Sequence, residues 1–464
     1  MSRGDPQNTG RVDLTLKRKL GELKAWRFRG GSHVWGYKPG MSVWSSAAVA
    51  LIKGRATVFV GSYDHNLYAL DAISGKRRFR FTSGGGVYSA PAVWRGEGQP
   101  LVFFTSADRS IYALDADLGR RVWIHSVKTW RPTIGGARLS SPAIGRAGKE
   151  AAVFFAHWVW DKSLSSHLQA GGVTALAAKT GKKLWTTALG DNQLSSPVVV
   201  ELADKKSRIF IASENGNLYA LAADTGQVLW SAAQRNVIKA SPAVYLDGKK
   251  ARVIIGSKHG LLRCLDAESG DEIWQFKTGH WIDGSAVVGA VGGRTLVFVG
   301  SYDTSFYAIG ADDGKKLWRH HTAGGIFSSA ALLVDKDKNR ADIFFASWDH
   351  HLYNLAAEDG TLRFSAYTGR PLWDSITLGD SIWSSPTIAV INGQPMIYFG
   401  SYSGPFYATP LKEAAKKALA RPGSNINFWL TLPLVLIGVT LILIVLSRRQ
   451  RRLEASRQKG ASPR

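Results

Sequence analysis

Two charged residues, one basic and one acidic, occupy equivalent positions beside aromatic residues and could together bind a small polar group. Lys239 and Asp283 each lie two positions before a small residue that begins a recurring motif, and Tyr88 and Phe327 hold that position in other copies. An ion pair beside aromatic rings suits a small polar ligand or the side chain of a partner. The alternative is a structural salt bridge. We take these four residues as a candidate ligand site.

Tryptophan is abundant, with 17 residues against 3 methionines. Nine of the tryptophans, Trp281 and Trp348 among them, fall in inserted or connecting segments. Exposed aromatic residues usually mark an interface, although some of these will pack the long loops. We predict that seven of them form a partner-binding surface: Trp35, Trp44, Trp130, Trp158, Trp160, Trp373 and Trp383.

Motifs of common enzyme classes are absent from the sequence. There is no phosphate-binding Walker loop, no HExxH, no GxSxG and no glycine-rich dinucleotide turn. The single cysteine, Cys264, excludes an internal disulfide and a multi-cysteine metal site. We therefore assign no catalytic residue and no metal ligand.

A repeat with a period of mostly 44 residues organises the chain. Each copy has a small residue–Ser start, an apolar run ending in Ser, a Leu-Tyr-Ala-Leu-Asp-Ala-like segment, a glycine turn and a closing aromatic residue. Four short β-rich segments per copy predict one propeller blade. The starts are Ser46, Ala90, Ser141, Ser196, Ser241, Ser285, Ser329 and Ser385.

Eight copies predict an all-β, eight-bladed propeller closed by an N-terminal strand. Only seven closing aromatic residues follow the starts, and the eighth, Trp26, precedes the first copy. A strand around Trp26 would therefore complete the last blade and remove the exposed sheet edges. The expected organisation is a basic arm at 1–19, the propeller at 20–411, a basic linker at 412–427, a transmembrane helix at 428–447 and a basic tail at 448–464.

All sizeable insertions fall between the second and third strands or in the links between blades. In an up-and-down blade these segments share one face, and insertions usually carry function. We predict that this face is the working face and that Tyr88, Lys239, Asp283 and Phe327 lie at the mouth of the central channel. The largest internal insertion is in the third copy, where His157 and Thr174 are 17 residues apart instead of 6.

The C-terminal segment reads FWLTLPLVLIGVTLILIVLS from Phe428 to Ser447, without a charge. Twenty apolar residues are long enough to cross a bilayer, and the RRQRR that follows would stop transfer. The basic tail favours a cytoplasmic C-terminus and an extracytoplasmic propeller. The first 20 residues contain no apolar stretch of a signal peptide, so the two indications conflict.

The net charge of +24 is concentrated at the termini, with +5 in residues 1–30 and +9 in residues 411–464. Anionic lipid is the expected counterpart of basic residues that flank a membrane segment. We therefore predict no nucleic-acid partner, and we predict the lipid bilayer and a membrane protein or membrane-associated complex as partners.

Segments such as VFVGSYDHNLYALDAISGKRRFRF (58–81) and VFVGSYDTSFYAIGADDGKKLW (297–318) resemble the repeats of pyrroloquinoline-quinone-type β-propellers. The resemblance covers about 390 residues and includes the A-x-D-x-G-x-x-x-W tryptophan-docking motif. That superfamily contains quinone- and calcium-dependent alcohol dehydrogenases and the non-enzymatic lipoprotein subunit of the outer-membrane barrel-assembly machine.

The resemblance is closer to the assembly lipoprotein than to the dehydrogenases. The dehydrogenases have an adjacent-cysteine disulfide, which a chain with only Cys264 cannot form, and calcium ligands of Glu, Asn and Asp that are not recognisable here. The lipobox cysteine of the lipoprotein is also absent. The resemblance implies a membrane-anchored scaffold that binds partner proteins. The alternative is an oxidoreductase or sensor that binds a small ligand over the channel, for which pyrroloquinoline quinone with calcium would be the cofactor.

Overall fold

The computed structural model describes residues 11–13, 35–37, 39–96, 98–127, 139–160, 169–189, 195–202, 204–234, 236–247, 250–335, 340–367, 384–400 and 406–411. Residues 1–415 form one compact unit and residues 416–464 a second, which lies outside the described residues. No helix within the described ranges is long and apolar enough to span a membrane. The predicted transmembrane helix at 428–447, like the linker and tail beside it, lies outside them.

Eight antiparallel sheets follow one another along the chain, as the repeat predicts. Blade 1 contains β3 (Ala48–Ile52), β4 (Arg55–Gly61), β5 (Asn66–Asp71) and β6 (Arg77–Thr82). Blade 2 contains β7 (Ala92–Trp94), β8 (Leu101–Ser106), β9 (Ser110–Asp115) and β10 (Arg121–Ser126). Blade 3 contains β11 (Ala143–Ala147), β12 (Glu150–Trp160), β13 (Gln169–Ala177) and β14 (Lys183–Ala188). Blade 4 contains β15 (Val198–Glu201), β16 (Ser207–Ala212), β17 (Asn217–Ala222) and β18 (Val228–Ala233).

The second half of the ring repeats this order. Blade 5 contains β19 (Ala243–Asp247), β20 (Lys250–Gly256), β21 (Leu261–Asp266) and β22 (Glu272–Lys277). Blade 6 contains β23 (Val287–Val291), β24 (Arg294–Gly300), β25 (Ser305–Gly310) and β26 (Lys316–His321). Blade 7 contains β27 (Ala331–Asp335), β28 (Arg340–Ala346), β29 (His351–Ala356) and β30 (Leu362–Tyr367). Blade 8 contains β31 (Thr387–Ile391), β32 (Gln394–Gly400), β33 (Phe406–Pro410) and the N-terminal β2 (Trp35–Tyr37).

An N-terminal strand closes the ring, as predicted, but it is not the strand around Trp26. Strand β2 pairs antiparallel with β33, and Trp35 lies opposite Ala408. Trp26 lies outside the described residues. The innermost strands of neighbouring blades contact each other around the whole circle, including β3 with β31 across the closure. The arm that was expected to precede the propeller also contributes β1 (Arg11–Asp13), which pairs in parallel with β27 on its channel side.

A belt of serine hydroxyls links the blades around the channel. In seven of the eight steps, the backbone N–H of the start residue donates to the Oγ of the next start residue, at 2.9–3.2 Å. Blade 2 begins with Ala90, which has no hydroxyl to accept the remaining bond. The serine before the start residue instead joins the first two strands of its own blade, as when Ser89 Oγ accepts from Thr105 N–H at 2.9 Å.

Closing tryptophans connect the outer parts of the blades. The indole N–H of Trp123, Trp185, Trp230, Trp274 and Trp318 each donates to the alanine carbonyl of the following blade's glycine turn, at 2.7–3.2 Å. The turn glycine lies flat on that indole. At Gly360, whose φ is +75°, a Cβ would be 2.7 Å from the Trp318 ring, so this close contact requires glycine. Between blades 8 and 1, the buried Tyr398 hydroxyl donates to Ala72 O at 2.9 Å.

Candidate functional site

The candidate site lies on the variable face, which we define as the face formed by the links between blades and the turns between second and third strands. In blades 1, 2, 5, 6 and 7 this turn begins with the serine that ends the second strand. The N–H of the following residue donates to a carbonyl of the link that enters the same blade. Tyr302 N–H donates to Trp281 O at 2.9 Å, and Trp348 N–H to Gly325 O at 3.0 Å. These bonds hold the turn against the link and bring their side chains together.

Four aromatic side chains from blades 6 and 7 and their links, Trp281, Tyr302, Phe327 and Trp348, form what we call the aromatic site. The ring centroids of Trp281 and Tyr302 are 5.4 Å apart, and those of Tyr302 and Trp348 are 5.3 Å apart. Phe327 packs against both Tyr302 and Trp348. Trp281 and Trp348 are nevertheless 39% and 42% exposed. Two large aromatic residues that are clustered but remain this accessible form an apolar platform on the surface.

Asp283 lies beside this platform without a bonding partner. Its Oδ1 is buried and accepts no hydrogen bond, and the residue makes no salt bridge with any described side chain. Burial raises the pKa of Asp283, while the charges of Lys258 and, less strongly, Lys239 act to lower it. Gly284 lets this link approach the next one, because a Cβ there would be 2.8 Å from the carbonyl oxygens of Phe327 and Ser328.

The surroundings of Asp283 leave its Oδ1 available to a hydrogen-bond donor from another molecule. Lys258 Nζ lies 4.5 Å from the centroid of the Trp281 ring, so this ring already accepts one cation on its face. Burial and the charge of Asp283 raise the pKa of Tyr302 to about 12, which keeps its hydroxyl protonated. An aromatic platform beside a partly buried carboxylate, which has no partner among the described residues, can bind another chain through aromatic packing and a hydrogen bond to Oδ1.

Three of the four residues of the predicted ligand site come together in the structure. Lys239 acts electrostatically on Asp283, and Phe327 packs against Tyr302, whose pKa Asp283 raises. The expected Lys239–Asp283 salt bridge is not formed, because the two charged groups do not approach within 4.0 Å. Lys239 is exposed, and Lys258 has the larger effect on the carboxyl group.

Tyr88, the fourth residue, belongs to a different cluster. Its ring centroid is 4.8 Å from that of Tyr63 and 5.9 Å from that of Trp44. The Tyr63 and Trp44 centroids are 5.5 Å apart. This second cluster repeats the arrangement of the aromatic site, with link residues packed on the residue that follows the serine of a turn.

The seven predicted partner-binding tryptophans do not all lie where the sequence placed them. Whether they bind a partner stays a prediction. Trp44 lies on the variable face as expected. Trp35 lies on the closing strand β2 rather than in a loop. Trp158 and Trp160 also lie on a strand, because the blade 3 insertion extends β12 and β13 into a long hairpin in which Trp160 pairs with Gln169. Trp130, Trp373 and Trp383 lie outside the described residues.

The sequence interpretation missed Tyr302, Lys258 and Tyr63 and left Trp281 and Trp348 out of the predicted surface. The sequence does contain a signal for three of these residues and for Trp348. The residue directly after the serine that ends the second strand is Tyr63, Lys258, Tyr302 or Trp348 in blades 1, 5, 6 and 7. The turn hydrogen bond described above places this position against the link in each of these blades.

The residues that are described do not fit a calcium-bound quinone. No group of three or more His, Cys, Asp or Glu among them could hold a metal ion. Asp283 faces two lysines rather than further carboxylates. The turn aspartates are already bonded within the protein, as at Asp303, which accepts from the Tyr307 hydroxyl and the Gly279 N–H, both at 2.7 Å. Cys264 is fully buried, and burial raises the pKa of its thiol to about 12.

Comparison with known proteins identifies one family. The profile described as outer membrane protein assembly factor BamB matches residues 19–170, 169–254 and 258–394. No curated protein is similar to the chain at a significant level.

Among solved structures, quinohemoprotein alcohol dehydrogenase from Comamonas testosteroni has a TM-score of 0.59 and 12% identity, over 81% of this chain and 76% of that one. Saccharomyces cerevisiae Sqt1 has a TM-score of 0.58 and 12% identity, over 81% and 98%. Quinohemoprotein alcohol dehydrogenase ADHIIG from Pseudomonas putida HK5 has a TM-score of 0.49 and 16% identity, and the match spans 64% of this chain and only 62% of that one. At these identities the first two show a shared fold and nothing about activity.

Proposed function

Because the chain belongs to the family described as outer membrane protein assembly factor BamB, we propose that it is a protein-binding scaffold that presents the aromatic site to a partner. The observation that carries this proposal is the pairing of an exposed aromatic platform with a buried acceptor. Trp281 and Trp348 are about two-fifths exposed, and Asp283 Oδ1 beside them accepts no hydrogen bond from the residues that the structure describes.

The chemistry of the site indicates what the partner contributes. A buried carboxylate without a donor is costly to the folded protein unless a bound molecule supplies the donor. Tryptophan and tyrosine are also the residues that most often dominate binding at protein interfaces. The proposed partner therefore packs an apolar or aromatic side chain on the Trp281 and Trp348 rings and directs a hydrogen-bond donor towards Asp283.

The membrane part of the proposal comes from the sequence. Residues 428–447 are proposed to anchor the chain in the bilayer, with the propeller outside the cytoplasm and the tail inside it. The partner is then a membrane protein or a membrane-associated complex. A reporter fused after Arg464 tests the sidedness, because cytoplasmic activity of the reporter supports this orientation and extracytoplasmic activity contradicts it.

The binding proposal is tested by recovery of membrane proteins in mild detergent with four versions of the full-length chain. The wild type is compared with Trp281→Ala plus Trp348→Ala, with Asp283→Asn, and with a control, Leu229→Ala plus Leu317→Ala. The control removes exposed apolar side chains of the outer strands, which are 43% and 42% exposed. Truncating a central aromatic anchor typically costs at least ~2 kcal/mol of binding, or roughly 30-fold in affinity.

We expect the same membrane proteins to be recovered with the wild type and the leucine control, and to be lost with the tryptophan pair. Asp283→Asn should weaken the same interactions. Equal recovery by all four versions, with unchanged melting temperatures, would mean that the aromatic site does not bind the partner.

The alternative, a small-molecule oxidoreductase or sensor, has less support. The channel contains a cavity of about 350 Å³ beside the serine belt, lined by Ser141, Ser196 and Ser241 among others. This volume suits a small ligand, but the serines are already engaged in the belt. Absorbance spectra of the purified protein with and without added quinone and calcium distinguish this function from the scaffold.

A further inference from the structure

The face opposite the aromatic site, which we call the constant face, carries its charge very unevenly. It is formed by the turns between first and second strands and by the glycine turns between third and fourth strands. In blades 1, 2 and 3 the glycine of the latter turn is followed by two exposed basic residues: Lys76 and Arg77, Arg120 and Arg121, and Lys182 and Lys183. The equivalent residues are Gln227 and Val228 in blade 4 and Asp271 and Glu272 in blade 5.

The same asymmetry extends over whole blades. Residues 48–188, which span blades 1 to 3, contain 19 Lys or Arg against 8 Asp or Glu. Residues 198–321, which span blades 4 to 6, contain 15 against 13. Blade 6 does carry a Lys315–Lys316 pair, but Asp312 and Asp313 precede it, and Lys315 Nζ lies 3.3 Å from Asp313. The excess charge of the propeller is thus confined to one sector.

Contacts between blades make this sector continuous. Asp117 of blade 2 lies against three basic residues of blade 1, at 3.2 Å from Lys53, 3.1 Å from Arg55 and 2.7 Å from Arg78. Lys179 of blade 3 lies 5.8 Å from the Trp94 ring of blade 2. Asp117 compensates one of these three positive charges, so the group keeps an excess of positive charge.

An exposed apolar residue lies within the basic sector. Leu118, in the glycine turn of blade 2, is 54% exposed directly before Gly119 and the Arg120–Arg121 pair. Leu51 of blade 1 is 49% exposed two positions before Lys53. Basic side chains around protruding apolar ones are typical of surfaces that bind the interface of an anionic membrane.

We propose that the constant face of blades 1 to 3 docks on an anionic lipid surface, in addition to the protein-binding role of the variable face. The propeller would then lie with its basic sector on the bilayer and its aromatic site directed away from it. This contact is electrostatic, so it weakens as salt increases.

A fluorescent label at the proposed contact tests the docking. Cys264 is fully buried, so an environment-sensitive thiol dye can be attached selectively to Leu118→Cys. A matched label at Leu246→Cys lies on the same face in blade 5, where Leu246 is 47% exposed. The full-length protein is measured with vesicles of phosphatidylcholine alone and of phosphatidylcholine with phosphatidylglycerol, at increasing salt.

A charge-neutral variant tests the basic residues. Arg120, Arg121, Lys182 and Lys183 are replaced by Gln in the Leu118→Cys background. The control replaces Lys206, Lys250, Arg294 and Lys316, which are exposed residues of the same face in blades 4 to 6. Both variants lose the same net charge, so a difference in vesicle binding between them depends on where the replaced residues lie and not on how much charge is removed.

We expect a blue shift of the Leu118→Cys label with anionic vesicles only, reversed by salt, and a smaller shift at Leu246→Cys. The basic-sector variant should reduce the bound-to-free ratio by at least about tenfold, since each basic residue near an anionic surface contributes several-fold. The control variant should change it far less. Equal losses in both variants, or equal shifts with neutral vesicles, would overturn the proposal. Preferential binding of RNA without any vesicle-dependent shift would assign the surface to nucleic acid instead and also overturn it.

Discussion

Asp283 and Asp303 are twenty positions apart in the sequence and differ in the hydrogen bonds that their carboxylates accept. Asp303 accepts hydrogen bonds from Tyr307, Gly279 and Ser305, which fix the turn against its link. Asp283 Oδ1 accepts none from the described part of the chain, and burial raises the pKa of this residue. The first carboxylate stabilises the fold, whereas the second is retained at an energetic cost, which is typical of a residue whose partner arrives from outside.

Replacing Asp283 by Asn should stabilise the free protein at neutral pH. Because the folded-state pKa is raised, the ionised form is disfavoured in the fold, so wild-type stability falls as the pH rises through that pKa. The neutral variant avoids this loss. We expect a gain on the order of 1 kcal/mol at pH above the folded pKa, which disappears below the unfolded-state value of about 3.9. Urea unfolding at several pH values measures it.

Asp303→Asn is the matched control, because it weakens bonds that the fold uses. It should lower stability at neutral pH. A destabilised Asp283→Asn variant would show that Asp283 has a structural role and is not a binding residue.

At the scale of single elements, the innermost strands are joined by side chains rather than by sheet hydrogen bonds. Adjacent inner strands belong to different sheets, so their backbone groups cannot form a ladder with each other. The serine at seven of the eight starts supplies an acceptor for the neighbouring blade's N–H, as from Ser196 N–H to Ser241 Oγ at 3.2 Å. The repeat therefore selects serine at this position because the backbone donor would otherwise lack a partner near the channel.

Replacing Ser241 by Ala should test the belt. The change removes the acceptor for Ser196 N–H, and leaving a partly buried donor unsatisfied costs roughly 1 kcal/mol. Ser231→Ala, in the exposed part of β18, is the control and should change stability by less than about 0.5 kcal/mol. Denaturant midpoints of the two variants provide the comparison. Indistinguishable midpoints would mean that the belt contributes nothing to stability.

The whole molecule depends on a short N-terminal strand for closure. Strand β2 comes from the opposite end of the chain to its partner β33, so the circle closes only when residues 35–37 dock. Without β2, blade 8 has three strands and an open edge, and an unpaired edge is prone to association with other chains.

Two truncations separate this closure from the rest of the N-terminus. Deletion of residues 1–38 removes β2 and should lower the melting temperature and promote aggregation. Deletion of residues 1–30 leaves β2 in place, removes β1 and should have a much smaller effect. Thermal unfolding and light scattering measure both. If the longer deletion melts like the shorter one, β2 does not hold the ring closed.

The sequence by itself determined the architecture, because the features that specify a blade are local and repeated. The serine starts, the glycine turns and the docking tryptophans all recur at nearly constant spacing, and each proved to have the expected blade position. The same signals predicted the ring, its closure by an N-terminal strand and the face on which the links and long turns meet. They misplaced the closing strand, because a tryptophan resembling a closing residue occurs at position 26, whereas closure depends on pairing with β33 at the far end of the chain.

Only the tertiary structure decided which residues meet. Trp281 comes from a link between blades, and Tyr302 and Trp348 come from the turns of two blades. A repeat pattern aligns such residues but does not predict which of them are in contact. The extension of β12 and β13 into the blade 3 hairpin and the separation of Tyr88 from Asp283 could not be predicted for the same reason. The missing partner of Asp283 is a property of the packed ring, since burial and the absence of a donor exist only after the blades come together. The basic sector likewise emerges only when glycine turns that are far apart in sequence become neighbours on one face.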